Sequence, residues 1–102
     1  MKKTFLSILT IFLFICNSYA QDSEELFSQA NEKCIAHDYL AALKLYDESI
    51  TINPKYDLAY YNRGITKLNL SDTKGACIDL KKAKELGYKK VEETISKFCN
   101  EH

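Results

Sequence analysis

The sequence predicts an all-α fold, a helix-turn-helix solenoid of two repeats and a capping helix, with five helices and no strands. The first observation is a repeat period of about 34 residues, which is typical of helical-hairpin repeats. Among the identical residues that recur at this period are Lys33 and Lys67, Asp38 and Asp72, and Ala42 and Ala76. The second is that apolar residues in each repeat follow the spacing of one helix face. The third is that Asn53-Pro54 and Gly87 stop helices where the hairpins should end.

The first repeat, residues 23–56, is predicted to be two helices joined by a turn at His37-Asp38. Ser23 is a suitable N-cap for the first helix, and two glutamates follow it. The second helix begins at about Tyr39 and ends before Asn53-Pro54, because the residue before a proline is pushed away from helical angles. The apolar face of the first helix comprises Leu26, Phe27, Ala30, Cys34 and Ile35.

The second repeat, residues 57–90, is predicted to have the same plan, with its turn at Ser71-Asp72. Gly64 lies inside the third helix, where it costs about 1 kcal/mol relative to alanine. A close approach by a neighbouring helix is therefore expected at that point. The fourth helix ends at Gly87, a natural left-handed C-cap. The capping helix, from about residue 89 to 100, carries on one side Val91, Ile95, Phe98 and Cys99.

Residues 1–20 have the layout of a secretory signal peptide. Lys2 and Lys3 form a positive start, an apolar run follows from residue 5 to 16, and cleavage is expected between Ala20 and Gln21. The run is shorter than the roughly 20 residues of a spanning helix. The sequence thus predicts an exported protein, periplasmic or secreted, whose mature domain of residues 21–102 has no membrane span.

Two other interpretations of this segment remain open. The apolar run could be retained as a membrane anchor, or Cys16 could become the acylated first residue of a lipoprotein. Leu13-Phe14-Ile15 is bulky where a lipoprotein signal has a small residue. Soluble export is therefore the preferred interpretation.

The charge distribution does not favour a nucleic-acid partner. The formal net charge is zero, with acids concentrated between residues 21 and 60 and bases between 61 and 102. A nucleic-acid-binding domain would be basic overall, with aromatic residues interleaved along the basic patch. The lysines between Lys81 and Lys90 are therefore interpreted as a solvated helix face.

Residues 23–88 resemble two tetratricopeptide repeats. In the first repeat, the positions typical of that family are occupied by Leu26, Ala30, Asp38-Tyr39, Ala42, Tyr46 and Pro54. In the second they are occupied by Tyr60, Gly64, Asp72, Ala76, Leu80 and Ala83. Ser49 replaces a usual alanine, Thr73 the usual tyrosine after the turn, and Tyr88 the closing proline. The resemblance implies a non-catalytic protein-interaction module with protein or peptide partners.

The segment from Gly75 to Cys99 also resembles the carboxyl-terminal unit of small exported bacterial repeat proteins. This second resemblance implies that the array stops after two repeats. The final helix would then seal the open apolar end, as repeat arrays require.

Three cysteines remain after the predicted cleavage: Cys34, Cys77 and Cys99. Cys77 lies ten residues before Gly87 and Cys99 twelve after it, so an antiparallel hairpin at about 1.5 Å per residue brings them level. A Cys77–Cys99 disulfide is predicted, which suits an oxidising compartment; the alternative is that both are small buried apolar residues. Cys34 is left as a free cysteine, packed in the core or available for an intermolecular disulfide.

The sequence contains no arrangement that predicts catalysis, a metal or a cofactor. There is no Cys-x-x-Cys motif. Of the two Cys-x-x-His pairs, Cys34 with His37 supplies two of the four ligands of a structural zinc, and Cys99 with His102 includes a cysteine of the predicted disulfide. Two histidines offer little for acid–base work. Asp47-Glu48 and Glu92-Glu93 are adjacent pairs, which do not face each other on a helix.

The resemblance places a groove on the concave face, lined by the first helix of each repeat. The matching positions are Phe27, Asn31, Ile35, Leu58, Tyr61, Asn62, Ile65 and Asn69, with Glu24 at the edge. Phe27 and Tyr61 are expected to form an aromatic pair, and aromatic side chains are common in binding surfaces. The alternative is that packing within the domain already covers them.

Some chaperone-binding members of the family hold a carboxyl terminus with asparagines and basic residues. Asn31 and Asn62 match the two asparagine positions. Phe27, however, replaces the first lysine, and Glu92 and Ser96 stand where a third repeat would supply bases. Without those cations a terminal carboxylate has little to attract it.

A second functional hypothesis is structural. The flank of the first helix has no preceding repeat to cover it. That flank is expected to be apolar, so the domain would form a weak homo-oligomer there, with Cys34 near the contact.

Overall fold

The computed structural model describes residues 22–100, and all of their regular structure is helical. The helices are α1 (residues 22–35), α2 (Tyr39–Ile52), α3 (Asp57–Asn69), α4 (Thr73–Glu85) and α5 (Glu92–Phe98), with a 3-10 turn at Lys89–Val91. No strand occurs within this range, so the predicted all-α architecture is confirmed. The predicted signal peptide, the predicted cleavage site between Ala20 and Gln21, and Cys16 lie outside the described residues.

The turns inside the two hairpins have the same hydrogen bonds, one repeat period apart. The carbonyl oxygens of Lys33 and Lys67 accept from the amides of Asp38 and Asp72, each at 2.8 Å. Each aspartate then caps the next helix, because its Oδ1 accepts from the amide three residues on, at 3.3 Å in the first turn and 2.9 Å in the second. The shared pattern explains why these residue types recur in the sequence.

Ser23 has a different role from the one predicted. The chain is already helical at residue 22, so Ser23 is not the N-cap. It is buried, and its hydroxyl donates to the carbonyl oxygen of Ser49 at 3.0 Å. The Ser49 hydroxyl donates back to the Ser23 carbonyl at 2.7 Å. This reciprocal pair joins α1 to α2, and it accounts for a serine at a position where tetratricopeptide repeats usually have alanine.

The core is built from small residues at equivalent positions of the two hairpins. Ala30, Ala42 and Tyr46 form the core of the first hairpin. Ala76, Leu80 and Ala83 are fully buried in the second. Small side chains let the helix axes approach closely, so that one large residue, Tyr46 or Leu80, fills the space between them.

Gly64 faces α4 at a point where a side chain would have little room. A Cβ atom there would lie 3.1 Å from Cγ of Leu80 and 3.2 Å from the carbonyl oxygen of Ala76. We expect Gly64→Val to lower the free energy of unfolding by about 2 kcal/mol, since overpacking a tight contact costs about 1–3 kcal/mol. Urea denaturation followed by circular dichroism measures the change; a variant as stable as the parent protein would contradict the close approach.

An ion-pair network that the sequence analysis did not anticipate joins α2, α3 and α4. Asp79 is 2 % exposed and accepts from Nε and Nη2 of Arg63, both at 2.8 Å. Lys67 Nζ lies 2.9 Å from the same carboxylate. Nη1 of Arg63 reaches Asp47 on α2 at 2.8 Å. The hydrogen bonds to Asp79 raise the pKa of Arg63, so one buried carboxylate holds two cations of α3 against α4.

The capping segment is held by a covalent contact, an ion pair and the burial of one apolar residue. The Sγ atoms of Cys77 and Cys99 lie 2.10 Å apart, at disulfide distance, as the hairpin geometry predicts. Lys84 forms an ion pair with Glu92. Val91 is fully buried, whereas α5 itself contains no buried residue.

The predicted apolar side of the capping helix is only partly correct. The chain forms a 3-10 turn before α5, so the α-helix begins at Glu92 rather than near residue 89. Phe98 is 41 % exposed instead of facing α4. It stands one repeat period after Gly64, at a position where the repeat needs a small residue. A further hairpin helix therefore could not pack there as α4 packs on Gly64.

The flank of α1 expected to be apolar is polar instead. The residues of α3 that face the preceding hairpin include Ala59, Arg63 and Thr66. Their counterparts one repeat period earlier are Glu25, Gln29 and Glu32, and all three are exposed. Charged and amide side chains at these three positions do not favour the predicted self-association, which stays a prediction.

Candidate binding groove

An open groove of about 290 Å³ lies between α1, the start of α2 and α3. Its lining residues are Asn31, Cys34, Ile35, Tyr39, Tyr46, Asn62, Ile65, Thr66 and Asn69. The α1 members follow a spacing of three and four residues, and so do the α3 members. Each helix therefore turns one face toward the groove.

The mouth of the groove is apolar. Ile35, the last residue of α1, is 80 % exposed. Ile65 of α3 and the ring of Tyr39 line the same groove. An isoleucine this exposed next to a concave surface is a candidate contact for a partner, because binding would remove its apolar area from water.

The floor of the groove is a hydrogen-bonded polar cluster. Asn31 Oδ1 accepts from the Tyr46 hydroxyl and, at 2.9 Å, from Asn62 Nδ2. The Thr66 hydroxyl donates to the carbonyl oxygen of Asn62 at 2.8 Å and lies 3.1 Å from Cys34 Sγ. Burial, and then the contact with Cys34, raise the pKa of Tyr46, which keeps its hydroxyl neutral and donating. The cluster fixes the positions of α1, α2 and α3 around the groove.

Several amide atoms at this floor have no hydrogen-bond partner within residues 22–100. They are Nδ2 of Asn31, Oδ1 of Asn62 and Oδ1 of Asn69, whose own Nδ2 donates to the carbonyl oxygen of Ile65 at 3.1 Å. No buried side-chain nitrogen or oxygen atom in the described part of the chain lacks a partner. These amide atoms are therefore reachable from the solvent side.

Five of the eight predicted groove residues line the observed groove: Asn31, Ile35, Asn62, Ile65 and Asn69. Leu58, 38 % exposed, lies outside it, as do Phe27 and Tyr61. The partner-binding role of all eight remains a prediction.

The expected pairing of Phe27 with Tyr61 is wrong. The Phe27 ring packs against Tyr56 at a centroid distance of 4.9 Å and against Tyr46 at 6.0 Å. Tyr61 instead packs against Tyr88, with centroids 4.7 Å apart. Both rings are half-buried by their neighbours within the domain, which was the alternative left open by the sequence.

Four lining residues were not predicted to lie in the groove: Cys34, which was assigned to the apolar face of the first helix, and Tyr39, Tyr46 and Thr66. Cys34 is a free, half-buried cysteine. Its position three residues after Asn31, with Thr66 four residues after Asn62, is the signal that could have placed both on the groove face.

The groove has a distinctive charge environment, because none of its nine lining residues carries a formal charge. Beyond it, near the Phe27–Tyr56 contact, the nearby charges are acidic. The pKa of Tyr56 is raised by burial and then by Glu24 and Asp57. A negative charge would therefore be repelled at that end.

Residues 22–100 contain no group of three or more His, Cys, Asp or Glu side chains arranged to hold a metal ion. In the same range no helix combines the length and hydropathy needed to cross a bilayer.

Comparison with known proteins gives a partial match. No protein-family model matches the chain. A stretch of 67 residues is 36 % identical to the Protein STIP1 homolog of Dictyostelium discoideum. This stretch is 66 % of the present chain but only 12 % of the Dictyostelium protein. The similarity agrees with helical repeats of the tetratricopeptide type.

Proposed function

We propose that the protein is a non-catalytic interaction module that binds a peptide or helix of another protein in the groove between α1 and α3. The observation that carries the proposal is the exposed Ile35 next to amide atoms that have no hydrogen-bond partner among residues 22–100. The partial similarity to the STIP1 homolog supports a protein-interaction module in general terms. Two hairpins offer little contact area, so binding by the isolated domain is expected to be weak.

We also propose that the module works outside the cytoplasm, in the periplasm or as a secreted protein. The support is the charge and hydropathy pattern of residues 1–20 and the cysteine pair suited to an oxidising compartment.

Substitution of Ile35 tests the binding role directly. Ile35→Asp places a carboxylate at the mouth of the groove and should reduce partner capture from an envelope extract about tenfold or more, because apolar contact is lost and a charge is desolvated. Leu40→Asp is the matched control, since Leu40 is 73 % exposed but does not line the groove. If both variants lose partner capture equally, or if neither loses it, the assignment of the groove as the binding site is contradicted.

Cys34 provides an independent readout. Its thiol lines the groove and is free, so a bound partner should slow its alkylation by a maleimide. The reaction is followed by mass spectrometry with and without the captured partner. An unchanged alkylation rate at saturating partner would mean that the partner binds elsewhere.

A further inference from the structure

We propose that the groove takes an uncharged, internal segment of its partner in extended conformation, and not a free carboxyl terminus. This inference rests on the proposed function and names the chemistry of the partner. It depends on three features of the groove: its amide atoms, its lack of cations and its two isoleucines.

The amide atoms match a peptide main chain. Asn31 offers an N–H₂ group, while Asn62 and Asn69 offer carbonyl oxygens. A main chain presents one N–H donor and one C=O acceptor per residue, and these must find partners when they are buried. A segment lying along the groove can therefore exchange hydrogen bonds of both kinds with α1 and α3.

The groove provides nothing to neutralise a terminal carboxylate. None of its lining residues is a lysine or arginine. Lys67 and Arg63 of α3 are held by the buried Asp79, at 2.9 Å and 2.8 Å. One turn before Asn31 on α1, the Phe27 ring packs on Tyr56, and the carboxylates near Tyr56 are Glu24 and Asp57. A desolvated carboxylate without a cationic partner is strongly disfavoured.

The isoleucines favour apolar side chains on the segment. Ile35 and Ile65 line the two sides of the groove, together with Tyr39. In an extended chain, alternate residues point to the same side. An extended segment can therefore place apolar side chains against the isoleucines while its main chain meets the asparagines.

A random peptide library displayed on phage in two formats tests the proposal with the full mature protein. In one format both ends of the random segment are joined to flanking linkers, and in the other the segment ends in a free carboxylate. We expect binders from both formats, with apolar residues enriched and Asp, Glu, Lys and Arg depleted. Synthetic binders with amidated and free carboxyl ends should differ by less than about threefold in affinity.

The following outcomes would overturn the inference or its basis. Binders found only with a free carboxylate, or binders weakened about tenfold or more by amidation, would overturn the inference but leave the groove as a binding site. The same holds for a selection dominated by acidic or basic segments. Absence of binders in both formats, with the protein shown to be folded by circular dichroism, would overturn the proposed function as well.

Two variants test whether the selected peptides bind in the groove. Ile35→Asp should weaken their binding about tenfold or more, and the similarly exposed control Leu40→Asp should leave it within about threefold. If the two variants behave alike, the peptides do not report on the groove and the inference fails.

Discussion

Replacing Asp79 by asparagine is expected to lower the free energy of unfolding by about 3 kcal/mol, because removal of one partner from a buried ion pair leaves the other charges uncompensated. Asp79 accepts from Arg63 twice and contacts Lys67 while being only 2 % exposed. An asparagine of the same shape would point an N–H₂ group at one of these donors. For a small domain this is a large part of the total stability.

Asp47 is the matched control for this prediction. It accepts from the same guanidinium group, at 2.8 Å, but its side chain is 62 % exposed. Asp47→Asn should therefore cost less than about 1 kcal/mol, as is usual for exposed pairs. Urea denaturation of the two variants compares them directly. Similar losses in the two variants would show that the burial of Asp79 does not determine how much the network contributes to the free energy of unfolding.

Loss of the Cys77–Cys99 disulfide is expected to have an effect of similar size. The bridge closes a loop with a sequence separation of 22 residues, for which the chain-entropy relation gives about 3 kcal/mol. Because α5 has no buried residue, the loss should first appear as detachment of α5. We expect the double variant Cys77→Ser/Cys99→Ser to lose hydrogen-exchange protection in α5 while α1 to α3 stay protected.

Reductant provides the control for the disulfide. The parent protein should gain the mass of two hydrogen atoms and lose stability on reduction, whereas the double serine variant should be unaffected. If the parent protein has the same mass with and without reductant, the two cysteines are not bonded. Unchanged protection of α5 in the serine variant would show that noncovalent packing is enough to hold the cap.

The repeat period predicted the helices and turns well, because their signals are local. Asp38 and Asp72 cap the next helix with their own side chains, and Gly87 takes the left-handed conformation with φ of 105°. Such contacts are made between residues three or four apart, so the spacing alone encodes them.

Contacts between helices were less accessible from the sequence. Asp79 is a charged residue on a helix with an amphipathic sequence pattern. Its burial depends on two cations of another helix, Arg63 and Lys67. Phe27 and Tyr61 occupy equivalent positions, yet each has a different neighbour, Tyr56 or Tyr88, contributed by a segment after a helix end. The groove was predicted in part because helix faces follow from periodicity, whereas the choice of ring partner depends on tertiary packing.

The most direct test of the central claim is to map a bound segment by amide chemical shifts. The ¹⁵N-labelled protein, residues 21–102, would be titrated with a peptide from the internal-segment selection. If the groove is the binding surface, the shifts concentrate on Asn31, Ile35, Asn62, Ile65 and Asn69, while α4 and α5 change little. Shifts centred on α4 and α5, with those five residues unaffected, would contradict the account.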